Sequence, residues 1–294
     1  MHRVLGAALV SLFVAMPAQA GAPFSFGWPP GTVQVTSSEK WGAVGIRREF
    51  VLELEKTESG YLLKRSKDRI IGVDGPLSFE QVDAMERHLA PLIRPLVLDE
   101  RGVARRVKPL DEAVFKDLQA TLPADPTVRA LLRPRLGSME QVEVADADEV
   151  HLWNAAVGYW TGRDRSLNRS VRARLPDKRV LTLEQLGPVS EPMGARHLSA
   201  SAIGDKPGDV RGCSPEIIQG LGPGLKAAGA ETAEVLHILE TVECTRTETV
   251  ETVTDPDSLR PHLVVLQSRT EVRLPGRTPT ERKTTLRRDY VWPR

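Results

Sequence analysis

Several groups of residues in this chain have types and spacing that could support chemistry. Ser37-Ser38-Glu39-Lys40 matches S-x-x-K, in which a lysine one helical turn after a serine lowers the barrier to deprotonation of the serine. That chemistry needs the serine at a helix start, and it needs S-D-N and K-T-G partners that this sequence lacks. The tetrad lies between two strand patterns, so a turn is the favoured interpretation.

Glycines and paired aspartates raise two further possibilities. Gly220–Gly224 could form a phosphate-binding loop, but such a loop follows a strand and opens a helix. This segment follows helical residues and contains a proline, so the end of a helix explains it better. Asp146 with Asp148, and Asp255 with Asp257, could bind calcium, but neither pair sits in a full loop of oxygen ligands. Asp255 is therefore predicted to cap a turn.

The histidines are scattered along the chain, at His2, His88, His151, His197, His237 and His262. No two of them have the spacing of metal ligands on one helix. No G-x-S-x-G, H-E-x-x-H or Walker sequence occurs. We therefore predict no catalytic residue, no metal and no cofactor, and a hydrolase is only the third functional hypothesis.

Any site must be positioned by the secondary structure of the chain. The first part of the sequence is rich in strand patterns. Strand patterns at 44–55 and 61–73 flank Glu58-Ser59-Gly60, which predicts a hairpin. Ser78 and Gln81 form a capping-box pattern that predicts the start of a helix. A second hairpin is predicted at 96–107. Helical spacing then follows at 110–122, at 127–132, and from Ser138 to about Tyr159.

A second β-rich region follows, with strands predicted at 171–175, 180–186, 197–203, 236–254, 262–274 and 284–292, and a helix at 214–225. Long strands joined by short turns predict an antiparallel sheet. The predicted fold class is α+β: one curved, half-barrel-like antiparallel sheet with helices packed on one face. A helical insertion at 110–160 separates β-rich segments at 32–107 and 170–293.

Residues 1–20 have the pattern of a cleavable signal peptide. A short basic start is followed by the apolar run Val4–Met16 and by Ala18-Gln19-Ala20, a small-x-small cleavage site. The run is shorter than the ~20 residues that a membrane span needs. We expect an exported, soluble, periplasmic or extracellular protein with one domain at 21–294.

Composition excludes one class of partner. The formal net charge of the chain is +1, and removal of residues 1–20 takes away one arginine and no acid, which leaves zero. A nucleic-acid-binding protein usually has a marked basic excess. We therefore expect no nucleic-acid partner, and no apolar stretch after the signal predicts a transmembrane segment.

The chain contains two cysteines, Cys213 and Cys244. In an exported protein two cysteines most simply form one disulfide. Neither has a second cysteine or a histidine within four residues, which argues against a metal site or a redox pair. A structural disulfide between Cys213 and Cys244 is therefore predicted.

The order of four segments along the chain resembles that of a known group of proteins. They are the hairpin at 44–73, the segment at 157–162, the turn Thr254–Pro261, and the closing strand to Trp292. In this organisation the chain resembles uncharacterised exported bacterial proteins with a fold like the periplasmic lipoprotein carriers. The resemblance implies a half-barrel sheet whose apolar concavity holds acyl chains. The charged helical stretch at 110–160 departs from that pattern.

Two functional hypotheses from different classes follow. The first is an exported binding protein for a lipid-like or other apolar ligand, held between the sheet and its helices. Its candidate ligand-binding residues are Leu52, Leu54, Leu62, Ile70, Trp153, Trp160, Val264 and Leu266, although a filled core would need the same residues. The alternative is an envelope-associated interaction module without a small-molecule ligand. It rests on strands at 245–254 and 269–273, which are polar on both sides and predict an exposed β surface.

Overall fold

The computed structural model describes residues 22–133, 136–165, 170–174, 179–203, 242–274 and 276–293. Its strands are β1 (Gly31–Trp41), β2 (Val44–Thr57), β3 (Gly60–Asp74), β4 (Leu96–Leu98), β5 (Ala104–Val107), β6 (Val171–Arg174), β7 (Val180–Pro188), β8 (Arg196–Ile203), β9 (Glu243–Thr254), β10 (Pro261–Arg273) and β11 (Thr280–Val291). The α-helices are α1 (Phe79–Leu89), α2 (Glu112–Ala120), α3 (Pro126–Leu132) and α4 (Met139–Ala156).

All eleven strands belong to one antiparallel sheet, in the order β5-β4-β3-β2-β1-β11-β10-β9-β8-β7-β6. β1 pairs with both β2 and β11, so the start and the end of the described chain meet at the centre of the sheet. The sheet is curved and does not close on itself, and the helices pack against it. The predicted fold class is therefore confirmed.

The sheet has two different faces. Val33 and Val35 of β1 are buried, whereas Gln34 and Thr36, which alternate with them, are exposed. This alternation follows from the two-residue period of a strand, and the register carries it across the sheet. We call the two sides the helix-covered face and the open face.

Local sequence signals explain where the helices begin. The Ser78 side chain accepts a hydrogen bond from the Gln81 N–H, and the Gln81 side chain accepts one from the Ser78 N–H, which completes the predicted capping box. α3 begins at Pro126 after Asp125, whose carboxylate accepts hydrogen bonds from two backbone N–H groups.

The hairpin between β2 and β3 depends on a glycine. Gly60 has φ +146°, and a Cβ atom there would lie 2.2 Å from the Leu98 carbonyl oxygen of β4. The turn therefore needs glycine both for its backbone angle and for the close approach of the next strand. It also fixes the register that pairs Leu54 with Leu63.

Two hydrophobic cores share the helix-covered face. The larger one places α4 and the 3₁₀ turn Gly158–Trp160 on the sheet, through residues such as Leu152, Trp153 and Trp160. The smaller one joins α1, α2 and α3 around Ile46 of β2. Burial of these apolar surfaces is the main force that holds the helices on the sheet.

At one edge of the sheet, a side chain of α4 pairs with the backbone of the edge strand β5. Asn154 of α4 accepts a hydrogen bond from the Ala104 N–H at 2.8 Å and donates one to the Ala104 carbonyl at 3.0 Å. Its amide thus satisfies one residue of β5 as a neighbouring strand would, which protects an exposed edge from pairing with another chain.

Replacing Asn154 with alanine is expected to destabilise the protein by about 1–3 kcal/mol, because the buried N–H and carbonyl of Ala104 would both lose their partner. The midpoint of urea unfolding measures this, and hydrogen exchange of the Ala104 amide should become faster. An unchanged midpoint with unchanged exchange at Ala104 would show that the edge does not depend on Asn154.

Candidate functional site

Only part of the predicted ligand-binding set lines a cavity. Leu52 and Leu54 lie beside an apolar cavity of about 50 Å³ whose walls include Trp28, Leu63 and Trp292. Pockets for drug-sized ligands usually measure about 300–1,000 Å³. This cavity is large enough for one small apolar group.

The two tryptophans at this cavity are held in fixed positions. Trp28 Nε1 donates to the Leu259 carbonyl at 3.1 Å, and Trp292 Nε1 donates to the Pro261 carbonyl at 2.8 Å. The two rings meet edge to face with centroids 4.7 Å apart. The walls of the cavity are therefore preorganised.

The other predicted residues lie elsewhere. Leu62 pairs with Glu55 on the open face, and it is the neighbouring Leu63 that faces the cavity. Ile70 packs against the smaller core. Val264 and Leu266 belong to the larger core. The structure therefore does not bring the predicted set together around one ligand.

Trp153 and Trp160 anchor helical segments to the sheet. Trp153 is 7% exposed, and its Nε1 donates to the Gly102 carbonyl at 2.8 Å. Trp160 is 2% exposed, and its Nε1 donates to the Ala155 carbonyl at 2.8 Å. Both indoles therefore have the surroundings of core residues.

The turn predicted for the S-x-x-K tetrad is wrong: the tetrad lies within a strand, and in this position it cannot act as a nucleophile and base pair. Ser37 and Lys40 both belong to β1. Residues three apart in a strand point to opposite faces, and accordingly Ser37 is buried whereas Lys40 is exposed.

The paired aspartates have partners within the protein. Asp255 accepts hydrogen bonds from the Asp257 N–H and the Ser258 hydroxyl, so it caps a turn as predicted. Asp146 pairs with Arg94 at 2.5 Å, and Asp148 pairs with Arg246 at 3.3 Å. Within the described residues, no group of three or more His, Cys, Asp or Glu side chains is arranged to hold a metal ion.

A charged cluster that the sequence did not predict lies between α4 and the sheet. Its centre is Glu248 of β9, whose side chain is 5% exposed and forms ion pairs with Arg179 and Arg246. The Arg246 Nη2 atom lies 2.6 Å from Glu248 and 3.3 Å from Asp148. His151 Nε2 is 3.9 Å from Glu248.

The pKa values of the two carboxylates move in opposite directions. Burial raises the pKa of Asp148, with Arg246 opposing that shift. Burial also acts to raise the pKa of Glu248, but Arg246, Arg179 and His151 outweigh it and lower the pKa overall. Glu248 is thus the stable anion of this cluster. Neither Glu248 nor Asp148 lines the cavity beside Leu52 and Leu54, and both carboxylates pair with arginines, so the cluster has the character of a structural ion-pair network.

A second cluster crosses the helix-covered face on β2, β3 and β11. Arg48 makes two hydrogen bonds to Glu86 of α1, at 2.6 and 3.1 Å. Arg288 pairs with Glu149 of α4 at 3.4 Å. The Arg65 and Arg288 guanidinium groups lie 4.1 and 5.9 Å from the centre of the Phe50 ring. These contacts tie α1 and α4 to the sheet.

The open face is polar over its central strands. Thr247 and Thr249 of β9 alternate with buried residues, and Gln267 and Arg269 of β10 lie beside them and are exposed. On β11, Lys283, Thr285 and Arg287 continue the same surface. A shallow hollow of about 250 Å³ lies between these three strands. The segments predicted at 245–254 and 269–273 are therefore open on this face only, because Glu248, Thr252 and Thr254 on the other face of β9 are buried.

The predicted disulfide has one partner within the described residues. Cys244 lies on β9, is 3% exposed, and packs with Val242 and Val272. Cys213 lies outside the described residues, so the pairing stays a prediction. Non-reducing peptide mapping should recover Cys213 linked to Cys244, and recovery of two free thiols would contradict it.

Two sequence comparisons with known proteins find no match. No protein-family model matches the chain, and no curated protein matches its sequence. None of the helices in the described residues has the length and apolar character that crossing a bilayer requires. The function is therefore inferred from the two faces of the sheet.

Proposed function

We propose that this protein is an exported binding protein that holds a protein partner against the open face of its sheet, around β9, β10 and β11. One observation carries the proposal. The helix-covered face is filled by packed cores, whereas the open face presents half-buried and exposed polar side chains around a hollow of about 250 Å³. A surface of this kind suits a partner that forms hydrogen bonds and ion pairs.

The chemistry of the open face indicates the class of partner. Exposed threonine, glutamine and charged side chains alternate along these strands. The charges of both signs form pairs, such as Arg287 with Asp289 and Arg273 with Glu271. Such a mixed surface suits a folded protein better than a lipid tail or a nucleic acid, which select apolar or strongly basic surfaces.

Site-specific photocrosslinking in the source organism tests the proposal. A photoreactive residue at Gln267 or at Thr285 should give one discrete adduct of higher mass. The same residue at Phe79, which is 47% exposed on α1, serves as the control and should give none. Absence of an adduct at both open-face positions, or equal adducts at all three, would contradict the proposal.

Export is part of the proposal and rests on residues 1–20. N-terminal sequencing of the chain recovered from its source organism should begin at Gly21, after the small-x-small site. A full-length chain retained in the cytoplasm would contradict export, while leaving the binding surface itself to the crosslinking test.

An apolar ligand remains a second candidate because of the cavity beside Leu52 and Leu54. Its volume of about 50 Å³ suits the end of an alkyl chain rather than a whole lipid. Native mass spectrometry of the purified mature protein, followed by organic extraction, should show a reproducible bound lipid if this candidate is correct. Clean ligand-free protein would count against it.

A further inference from the structure

The hollow on the open face has an excess of positive charge. Arg269 of β10 and Lys283 of β11 stand directly opposite each other in the register. Like charges in this position destabilise a sheet. Their side chains are 58% and 71% exposed, and both line the hollow. The sheet therefore keeps a locally unfavourable pair of like charges on its exposed surface.

One carboxylate oxygen of Glu281 forms ion pairs with both cations. Glu281 Oε1 lies 2.8 Å from Arg269 Nε and 3.0 Å from Lys283 Nζ. The neighbouring Glu271 accepts a hydrogen bond from Arg273 Nε at 2.6 Å. Among the described residues, one carboxylate therefore faces two cations, which gives this part of the hollow one more positive than negative charge.

The surroundings of the hollow add charge and hydrogen-bonding groups. Lys40 of β1 pairs with Thr285 in the register, is exposed, and makes no ion pair within the described part of the chain. Thr247, Thr249 and Gln267 provide hydroxyl and amide groups at the same site. None of the described residues that line the hollow is aromatic. These groups suit a carboxylate with hydrogen-bonding neighbours rather than an apolar or aromatic group.

We infer that the hollow is the recognition point for an acidic segment of the protein partner, whose carboxylates pair with Arg269 and Lys283. The inference rests on the proposed function and specifies the chemistry of the partner. Glu281 occupies part of the cationic site in the free protein and competes with the incoming carboxylate.

Fluorescence anisotropy with a labelled polyglutamate peptide at low ionic strength tests this inference, with a polyglutamine peptide of equal length as the neutral comparison. The wild-type protein should bind polyglutamate and not polyglutamine. The double substitution Arg269→Gln and Lys283→Gln should weaken binding about tenfold. Arg87→Gln is the matched control, because Arg87 is 75% exposed and pairs with Asp83 on α1, away from the open face, and it should leave the affinity within about twofold.

The substitution Glu281→Gln distinguishes a role of this site in binding from a role in stability alone. Removing the internal competitor should tighten polyglutamate binding about threefold. The side chains of Arg269, Lys283 and Glu281 are 58%, 71% and 32% exposed, so urea unfolding should confirm that the variants are folded.

Three results would overturn the inference. They are unchanged binding by the double variant, weaker binding by Glu281→Gln, and displacement of the peptide by inorganic phosphate well beyond that caused by chloride at equal ionic strength. The last would identify a site for small oxyanions instead. Crosslinking at Gln267 and Thr285 does not depend on charge, so the open-face proposal and this inference fail separately.

Discussion

Replacing Glu248 with glutamine is expected to lower the free energy of unfolding by about 3–5 kcal/mol, the cost of breaking a buried ion pair by removing one partner. Glu248 is 5% exposed and pairs with Arg179 and Arg246. Without the carboxylate, two guanidinium groups would remain between α4 and the sheet with too little negative charge to balance them. Urea unfolding at neutral pH measures the change.

Glu251→Gln is the matched control for this substitution. Glu251 lies on the same strand but on the open face, where its side chain is 45% exposed and contacts His197 at 3.3 Å. A surface pair of this kind contributes about 0–1 kcal/mol. Equal losses from Glu248→Gln and Glu251→Gln would show that the buried cluster does not hold α4 on the sheet.

The same cluster makes a prediction about pH. The folded state lowers the pKa of Glu248 below its ordinary value of 4.5. Its contribution to stability is therefore complete above that value and is lost as the pH falls through the lowered pKa. The wild-type protein should lose stability more steeply than Glu248→Gln below pH 4.5, and parallel pH profiles would contradict this assignment.

Replacing Trp153 with alanine is expected to cost about 3–5 kcal/mol, because it removes a large buried side chain from the main core. Trp153 packs edge to face on Trp28 with centroids 5.0 Å apart, and its indole N–H bonds to Gly102. Trp153→Phe keeps most of the packing, so it should lose less. Thermal or urea unfolding distinguishes the two variants.

Phe79→Ala is the comparison for this core substitution. Phe79 is also aromatic and helical, but it is 47% exposed, so its removal should change stability by less than about 0.5 kcal/mol. If Trp153→Ala were as mild as Phe79→Ala, Trp153 would not be a core anchor, and its prediction as part of a ligand platform would regain support.

The fold follows from the sequence because its signals are local. The Ser78–Gln81 capping box, the Asp125-Pro126 start and the turn at Gly60 each involve residues only a few positions apart. The strand alternation in β1 and β2 also appears within single segments. Such features specify elements and their faces without any knowledge of distant contacts.

The position of Leu62 shows that strand register decides which face of the sheet a side chain occupies. Leu62 and Leu63 are both apolar, so the pattern alone does not decide which faces the helices. The Gly60 turn sets the register that pairs Leu63 with Leu54 and Leu62 with Glu55. A difference of one position moves a side chain to the opposite face.

The charged clusters were not predictable because their members are far apart in the sequence. Arg179 and Glu248 are separated by 69 positions, and Arg288 and Glu149 by 139. No local pattern distinguishes these residues from the many other charges of the chain. The charge excess of the hollow likewise depends on the register between β10 and β11.

The most direct test of the central claim uses the partner recovered by crosslinking. Its affinity should be measured for the wild-type protein, for a variant with Gln267→Trp and Thr285→Trp, and for Phe79→Trp. Bulky side chains on the open face should weaken binding by at least about tenfold, equivalent to 1.4 kcal/mol, while Phe79→Trp should bind like the wild-type protein. Equal affinity of all three proteins would contradict the assignment of the open face as the binding surface.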